Sequence, residues 1–210
     1  WQKYDFLRVK AGQFKNPFTY ENPMHPIDQG FMSYSQVISK FAGFSDRAGA
    51  HSSNGRDIGV QLQGDFLKNA SGRNLIHYQV GVFNGQGINV KDVDQQKNII
   101  GGAWVMPVEG MRLGAFGWIG SYARKGTSAS EGITNTTLRR LQQRRYAFSA
   151  EYKVDDWTFR SEYVHSTGYA FAKAMVNTND ASAKDITLSS NSDKSQGVYA
   201  LVIAPIIKKK

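Results

Sequence analysis

The stretch Asp57–Phe66, DIGVQLQGDF, decides the class of fold. Apolar side chains occupy most of its even positions, namely Ile58, Val60, Leu62 and Phe66. Polar side chains occupy most of its odd positions, namely Asp57, Gln61, Gln63 and Asp65. Because successive side chains of a β-strand point to opposite faces, this period of two predicts a strand with one apolar face and one wet face.

The same alternation returns along the rest of the chain. It is clear in segments 7–12, 76–82, 145–154 and 157–163, and weaker in the glycine- and aromatic-rich segments 97–106, 111–124 and 196–206. We therefore expect about eight antiparallel strands, each near the length of about ten residues that a tilted membrane-spanning strand needs.

The connections between these segments alternate in length. Long connections are predicted at 15–55, 84–97, 125–143 and 166–195, and short ones at 68–73, 107–110 and 155–156. A membrane β-barrel has short turns at one rim and long loops at the other. The sequence therefore predicts an all-β fold, a transmembrane antiparallel β-barrel of which residues 1–210 form part of a single domain.

Aromatic residues near the strand ends fit the same fold. The residues concerned are Trp104, Trp118, Tyr122, Tyr146, Trp157 and Tyr163. Tryptophan and tyrosine concentrate at the two membrane–water interfaces, so we interpret these residues as an interfacial girdle.

Composition excludes several other classes of protein. The mean hydropathy is −0.45 and no run approaches the about 18 apolar residues of a spanning helix, so a helical membrane protein is excluded. Cysteine is absent, which excludes disulfides and thiolate metal sites. The net charge of +9 favours an anionic partner.

No motif supports an enzyme. The four histidines lack the spacing of metal ligands, and no glycine-rich stretch has the pattern of a phosphate-binding loop. No nucleophile-elbow motif places a serine for catalysis. We expect no catalytic residue, no metal site and no cofactor.

Three blocks resemble a known family. The run Leu7–Phe18, LRVKAGQFKNPF, followed by Tyr20-Glu21-Asn22, resembles the G-Q-F-K-x-P-F-x-x-E stretch of the phosphate-selective porin O and P family. Residues 56–60 (RDIGV) and 79–85 (QVGVFNG), followed by Gly87, Asn89 and Asp92, look like the next two blocks. The resemblance covers roughly residues 7–120, and the remainder matches only in strand rhythm.

The resemblance implies a 16-stranded, homotrimeric channel in the outer membrane of a Gram-negative bacterium. It implies that small anions, with phosphate or polyphosphate as candidates, diffuse passively through a basic lumen, and that lipid and lipopolysaccharide surround the barrel. With about eight strands, we interpret this chain as about half of such a barrel, and hence as part of something longer.

Basic residues on the predicted wet face are the candidate anion pathway. Arg8 and Lys10 lie two apart and share a face, as do Arg145 and Lys153, and Arg160 faces the same side from the next strand. Arginine and lysine lining a lumen attract anions most strongly where water is confined. The alternative is cross-strand ion pairing, for instance of Glu151 with Arg160, which would leave little free positive potential.

Segment 15–55 is too apolar for a loop in water. Ser35 is placed to cap a short helix, and Gly43 is placed to end it. One hypothesis is that the segment folds into the lumen and narrows it, with Lys15, Lys40 and Arg47 at the constriction. The other, given equal weight, is that it packs against a neighbouring subunit at a trimer interface.

Two functions of different class remain. The first is an outer-membrane porin for small anions, and we expect no nucleic-acid partner. The alternative is an outer-membrane β-barrel binding or adhesion protein that holds a polyanion with its long loops and basic face.

Overall fold

The computed structural model describes residues 1–43, 53–89, 91–92, 94–128, 133–167 and 194–205. The strands are β1 (Gln2–Tyr4), β2 (Leu7–Lys15), β3 (Arg56–Lys68), β4 (Asn74–Phe83), β5 (Asn98–Val105), β6 (Met111–Ser128), β7 (Ile133–Val154), β8 (Trp157–Thr167) and β9 (Lys194–Ile203). Two short helices, α1 (Pro26–Gln29) and α2 (Gln36–Phe41), lie between β2 and β3.

All strands form one antiparallel sheet in chain order. Because β1 has only three residues, the sheet contains eight strands of full length. Within the described residues β1 and β9 have no pairing with each other, so the sheet is open. None of the helices in the described part of the chain is long and apolar enough to cross a membrane.

The predicted strands are confirmed, but one predicted connection is wrong. Residues 125–143 are not a long connection, because β6 and β7 continue through most of them and Lys125 pairs with Leu138. Most of these residues are polar, so an apolar alternation is absent, but Ile133, Thr136 and Thr137 are β-branched and favour extended backbone. The sequence pattern also missed the three-residue strand β1.

Tight turns join the strands at one end of the sheet. Asp155 and Asp156 alone link β7 to β8, and Gly110 closes the turn before β6. Gly110 has φ +75°, and a Cβ there would lie 1.9 Å from the carbonyl oxygen of Lys153. Only glycine fits this left-handed position so close to the neighbouring strand.

One face of the sheet, the exposed face, carries the apolar residues of the alternation. The register aligns Val60, Val82, Ile99 and Ile119 in a row across β3–β6, and each is between 49% and 63% exposed. The same face continues on the later strands with Phe148, Tyr152, Phe159, Val198 and Val202. Exposed apolar side chains thus extend across this face from β3 to β9.

The opposite face, the covered face, packs against residues 16–43, which we call the cover segment. Between them lies a hydrophobic core formed by Phe14, Phe18, Ile38, Phe41, Phe83, Ile100, Phe116, Trp118, Ala147 and Val164. The expectation that this whole face is wet is therefore wrong for its centre. Large side chains of the sheet and of the cover segment exclude water from each other there.

The core also corrects the aromatic girdle. Trp118 and Tyr122 are buried on the covered face, and Trp104 packs on the same face with its ring 4.1 Å from that of His77. Their positions in the strand alternation turn them away from the exposed face. Tyr146 and Trp157 do lie on the exposed face.

Helix α2 forms as its sequence predicts. The Ser35 hydroxyl accepts a hydrogen bond from the N–H of Ile38 at 3.2 Å, which caps the helix. Ile38 and Phe41 are buried against the sheet. Ala42 is the C-cap and Gly43 follows with φ +78°, the left-handed position at which helices commonly end.

Candidate functional site: the covered face and its cover segment

The Glu162 carboxylate on β8 anchors the cover segment to the sheet. It accepts hydrogen bonds from the backbone N–H of Tyr20 at 2.8 Å and from that of Glu21 at 2.9 Å. The hydroxyls of Ser149 and Tyr199, from the two neighbouring strands, each donate to it at 2.8 Å. Glu162 is 0% exposed, so these four donors replace the water that a carboxylate otherwise requires.

A second carboxylate, that of Glu151 on β7, contacts two arginines. The register places it between Arg112 on β6 and Arg160 on β8. Arg160 donates from Nε to Glu151 at 2.8 Å, and Arg112 lies at 3.4 Å. Tyr20 of the cover segment donates its hydroxyl to the same carboxylate at 3.0 Å.

Two arginines of the sheet bind the ends of the two helices. Arg160 donates to the carbonyls of Asp28 and Gln29, the last residues of α1, at 3.0 and 3.1 Å. Arg145 donates to the carbonyl of Phe41, the last residue of α2, and lies 4.3 Å from the ring centre of Trp118. Carbonyls at a helix end lack an intrahelical partner, so these guanidinium groups supply one.

Arg160 therefore makes the cross-strand pair that the sequence offered as the alternative to an anion contact. Its side chain and that of Arg145 are buried, at 3% and 5% exposed. Both hold the cover segment in place. A contact of either with a permeating anion stays a prediction.

Lys10 is in a different environment. It is exposed on the covered-face side of β2, 4.3 Å from the ring centre of Phe14, and forms no ion pair with the described residues. Lys153 is also half exposed, with its Nζ atom 3.7 Å from Glu151. Of the predicted pathway residues on the strands, these two offer the most accessible positive charge.

The remaining predicted pathway residues are Arg8, Lys15, Lys40 and Arg47. Arg8 forms an ion pair with Asp65 at 2.9 Å, and Lys15 donates to the carbonyl of Met24 at 3.0 Å and to the Tyr34 hydroxyl. Lys40 is exposed on α2. Arg47 lies outside the described residues.

Sequence reasoning missed the roles of Glu162, Tyr20 and Tyr199. For Glu151 it offered only the pair with Arg160, and it assigned no partner to Glu162. The available signal was their position on the same face as Arg145 and Arg160, because an acid on that face beneath an apolar segment needs donors. The donors from the cover segment are more than 130 positions away in sequence, beyond the reach of any local pattern.

The fold and site define the chain as an all-β protein with one open antiparallel sheet, which is apolar on its exposed face and has a hydrophobic core and buried charged residues on its covered face. No family model matches the chain, and neither a curated protein nor a solved structure matches it.

Proposed function

We propose that this chain is a wall of an outer-membrane β-barrel porin that lets small anions diffuse passively. The observation that carries the proposal is the inversion of the sheet. One whole face carries exposed apolar side chains, while the charged residues Glu151, Arg160 and Glu162 are covered on the other. In water an extended apolar surface is costly, whereas a bilayer stabilises it.

The height of the apolar surface supports a bilayer as its solvent. On β7 the apolar side of the strand runs from Tyr146 to Val154, with Arg144 beyond one end and the turn Asp155–Asp156 beyond the other. Nine residues of strand span about 30 Å, and less along the barrel axis when the strand tilts. The apolar band of an outer-membrane barrel is about 25 Å tall.

Aromatic side chains lie near the short-turn end of this surface. The rings of Phe66 on β3 and Tyr78 on β4 stack with their centroids 5.1 Å apart. On β8 the rings of Trp157 and Phe159 stack with their centroids 5.9 Å apart. Such rings favour the boundary between hydrocarbon and headgroups. These aromatic residues, and not the covered Trp104, Trp118 and Tyr122, form the proposed interfacial girdle at this end.

The remainder of the proposal concerns the covered face. In the proposed barrel it faces the lumen, and the cover segment narrows the passage, with Lys10 and Lys153 as the accessible cations beside it. Because the described strands form an open sheet, the proposal includes further strands that close the barrel. The resemblance to phosphate-selective porins favours 16 strands, a homotrimer, and phosphate or polyphosphate as the permeant.

Conductance across a planar lipid bilayer tests the proposal. The account predicts stepwise conductance after addition of the refolded full-length protein, and a reversal potential in a potassium chloride gradient that shows preference for chloride. A protein-free bilayer treated with the same detergent is the control. If the protein inserts, as judged by flotation with liposomes, and no conductance follows, the channel proposal fails and a binding or adhesion role is favoured.

A further inference from the structure

The exposed face carries a groove at its long-loop end. The groove has a volume of about 630 Å³, and its lining includes Ile119, Arg144, Tyr146, His165 and Thr167. These residues come from β6, β7 and β8 and share the exposed face by register. The groove lies where the apolar surface of β7 ends.

Two cations flank Thr167 in one row across the last three strands. The register pairs Arg144 with Thr167 and Thr167 with Lys194, so the three residues lie side by side on the exposed face. Adjacent strands are about 4.8 Å apart, which puts the two cationic residues about 10 Å from each other. Their flexible side chains can therefore reach one anion placed between them.

Arg144 and Lys194 form no ion pair with an acidic side chain of the described ranges. Both side chains are exposed. Their positive charge is therefore available to a ligand from outside this part of the chain.

Polarity changes in steps along these strands. The row next to the cations consists of Tyr146, His165 and Gln196, with the Tyr146 and His165 rings stacked at 4.9 Å. The following row consists of Phe148, Tyr163 and Val198. Moving from the long-loop end, a cationic row gives way to an aromatic and amide row and then to an apolar one.

We propose that Arg144 and Lys194, on either side of Thr167, bind the phosphate of an anionic lipid headgroup, whose acyl chains lie along Phe148 and Val198. The assignment rests on the proposed function, because it requires the exposed face to contact lipid. The order of the rows matches the order of a lipid from phosphate through the interfacial region to hydrocarbon. A free anion such as phosphate would make no contact with the apolar rows, so these rows favour a lipid as the ligand.

The test is lipid binding by the refolded full-length chain in non-ionic detergent micelles. Energy transfer from tryptophan to pyrene-labelled phosphatidylglycerol reports binding, with pyrene-labelled phosphatidylcholine as the neutral comparison. Each cation near a membrane surface contributes about fivefold in affinity for an anionic lipid. We expect Arg144→Gln and Lys194→Gln each to weaken phosphatidylglycerol binding about fivefold and the double variant about thirtyfold, with Arg144→Lys close to wild type.

Arg56→Gln is the matched control. Arg56 lies on the same face and at the same end of the sheet, on β3, with its guanidinium near the carbonyl of Asn54. An equal loss in Arg56→Gln would show diffuse surface charge and overturn the assignment. So would unchanged affinity in the double variant, or displacement of the lipid by inorganic phosphate as readily as by unlabelled phosphatidylglycerol.

The two proposals fail separately. If wild type and double variant float equally with liposomes and bind phosphatidylglycerol equally, only the headgroup site is refuted. If neither floats with liposomes, the membrane proposal itself is refuted.

Discussion

The backbone N–H of Tyr20 lies 2.8 Å from the Oε2 atom of Glu162, although 142 residues separate the two in sequence. The N–H of Glu21 donates to the other oxygen of the same carboxylate at 2.9 Å. A single side chain of β8 thus receives two consecutive backbone donors of the cover segment. This contact fixes where the segment crosses the covered face.

Replacing Glu162 should loosen the cover segment. In Glu162→Gln the amide nitrogen cannot accept, so at least one of the four donors loses its partner in a buried site. An unsatisfied buried group costs about 1–3 kcal/mol. We expect a loss of that size in the free energy of unfolding by urea in detergent micelles, and faster proteolysis within residues 16–43.

Glu109→Gln is the control for this change, because Glu109 is exposed in the turn before β6. It should leave both measurements unchanged. Equal protease resistance of Glu162→Gln and wild type would contradict the anchoring role.

A double-mutant cycle measures the pair of Glu151 and Arg160. Both side chains are at most 5% exposed, and their contact is 2.8 Å. Neighbouring groups in one ion-pair network couple by about 0.5–3 kcal/mol. We expect Glu151→Gln and Arg160→Gln to show a coupling energy in this range, measured by urea unfolding.

The pair of Asp5 and Lys68 is an exposed counterpart with a similar distance, 2.9 Å between Lys68 Nζ and Asp5 Oδ2. The hydrogen bond and the positive charge of Lys68 lower the pKa of the Asp5 carboxyl. Solvent screens such pairs, so Asp5→Asn with Lys68→Gln should show little coupling. A coupling for this pair as large as that for Glu151 and Arg160 would contradict the distinction between covered and exposed charges.

Much of the sheet can be predicted from the sequence, because the two faces of each strand differ in polarity. This difference appears in the sequence as an alternation of polar and apolar residues. Segments 57–66 and 157–163 lie within β3 and β8. Ser35 and Gly43 predict the ends of the short helix, because helix capping depends only on residues near each end. Local chemistry was sufficient for these elements.

The remainder depends on contacts that no local pattern encodes. The strand extension that pairs Lys125 with Leu138 has no apolar alternation, and therefore resembles a loop. Trp104 and Trp118 are good interfacial residues by type, but the cover segment offers them a core. Arg160 looked like a pathway residue because the helix carbonyls that it binds are about 130 positions away.

Lys10 is the residue whose charge we expect to influence selectivity most. Arg145 and Arg160 are engaged with the cover segment, whereas Lys10 is exposed and has no ion pair among the described residues. Lys10→Glu should shift the reversal potential in a potassium chloride gradient toward cation preference, because it reverses a charge beside the proposed passage. Lys68→Glu changes the same charge on the exposed face and should leave selectivity near that of wild type; an unchanged potential for Lys10→Glu would refute the assignment.

Arginine substitution distinguishes lipid from water at the exposed face. Val60 on β3 and Val108 in a turn are almost equally exposed, at 51% and 52%. Arginine at the midplane of a bilayer costs a membrane barrel about 2–4 kcal/mol, and much less near the interfaces. We expect Val60→Arg to lose about that much unfolding free energy in phospholipid bilayers and Val108→Arg to lose little. Equal effects of the two substitutions would argue that both sites face water.

The chain has no cysteine, so single cysteines can report the solvent at each position of β3. Nitroxide spin labels at positions 58, 60, 61, 62 and 63 of the bilayer-reconstituted protein would be tested against oxygen, which concentrates in lipid, and a nickel chelate, which stays in water. The account predicts high oxygen and low chelate accessibility at Ile58, Val60 and Leu62, and low oxygen accessibility at Gln61 and Gln63. High chelate accessibility at Ile58, Val60 and Leu62 would show that the exposed face lies in water, and would contradict the membrane wall.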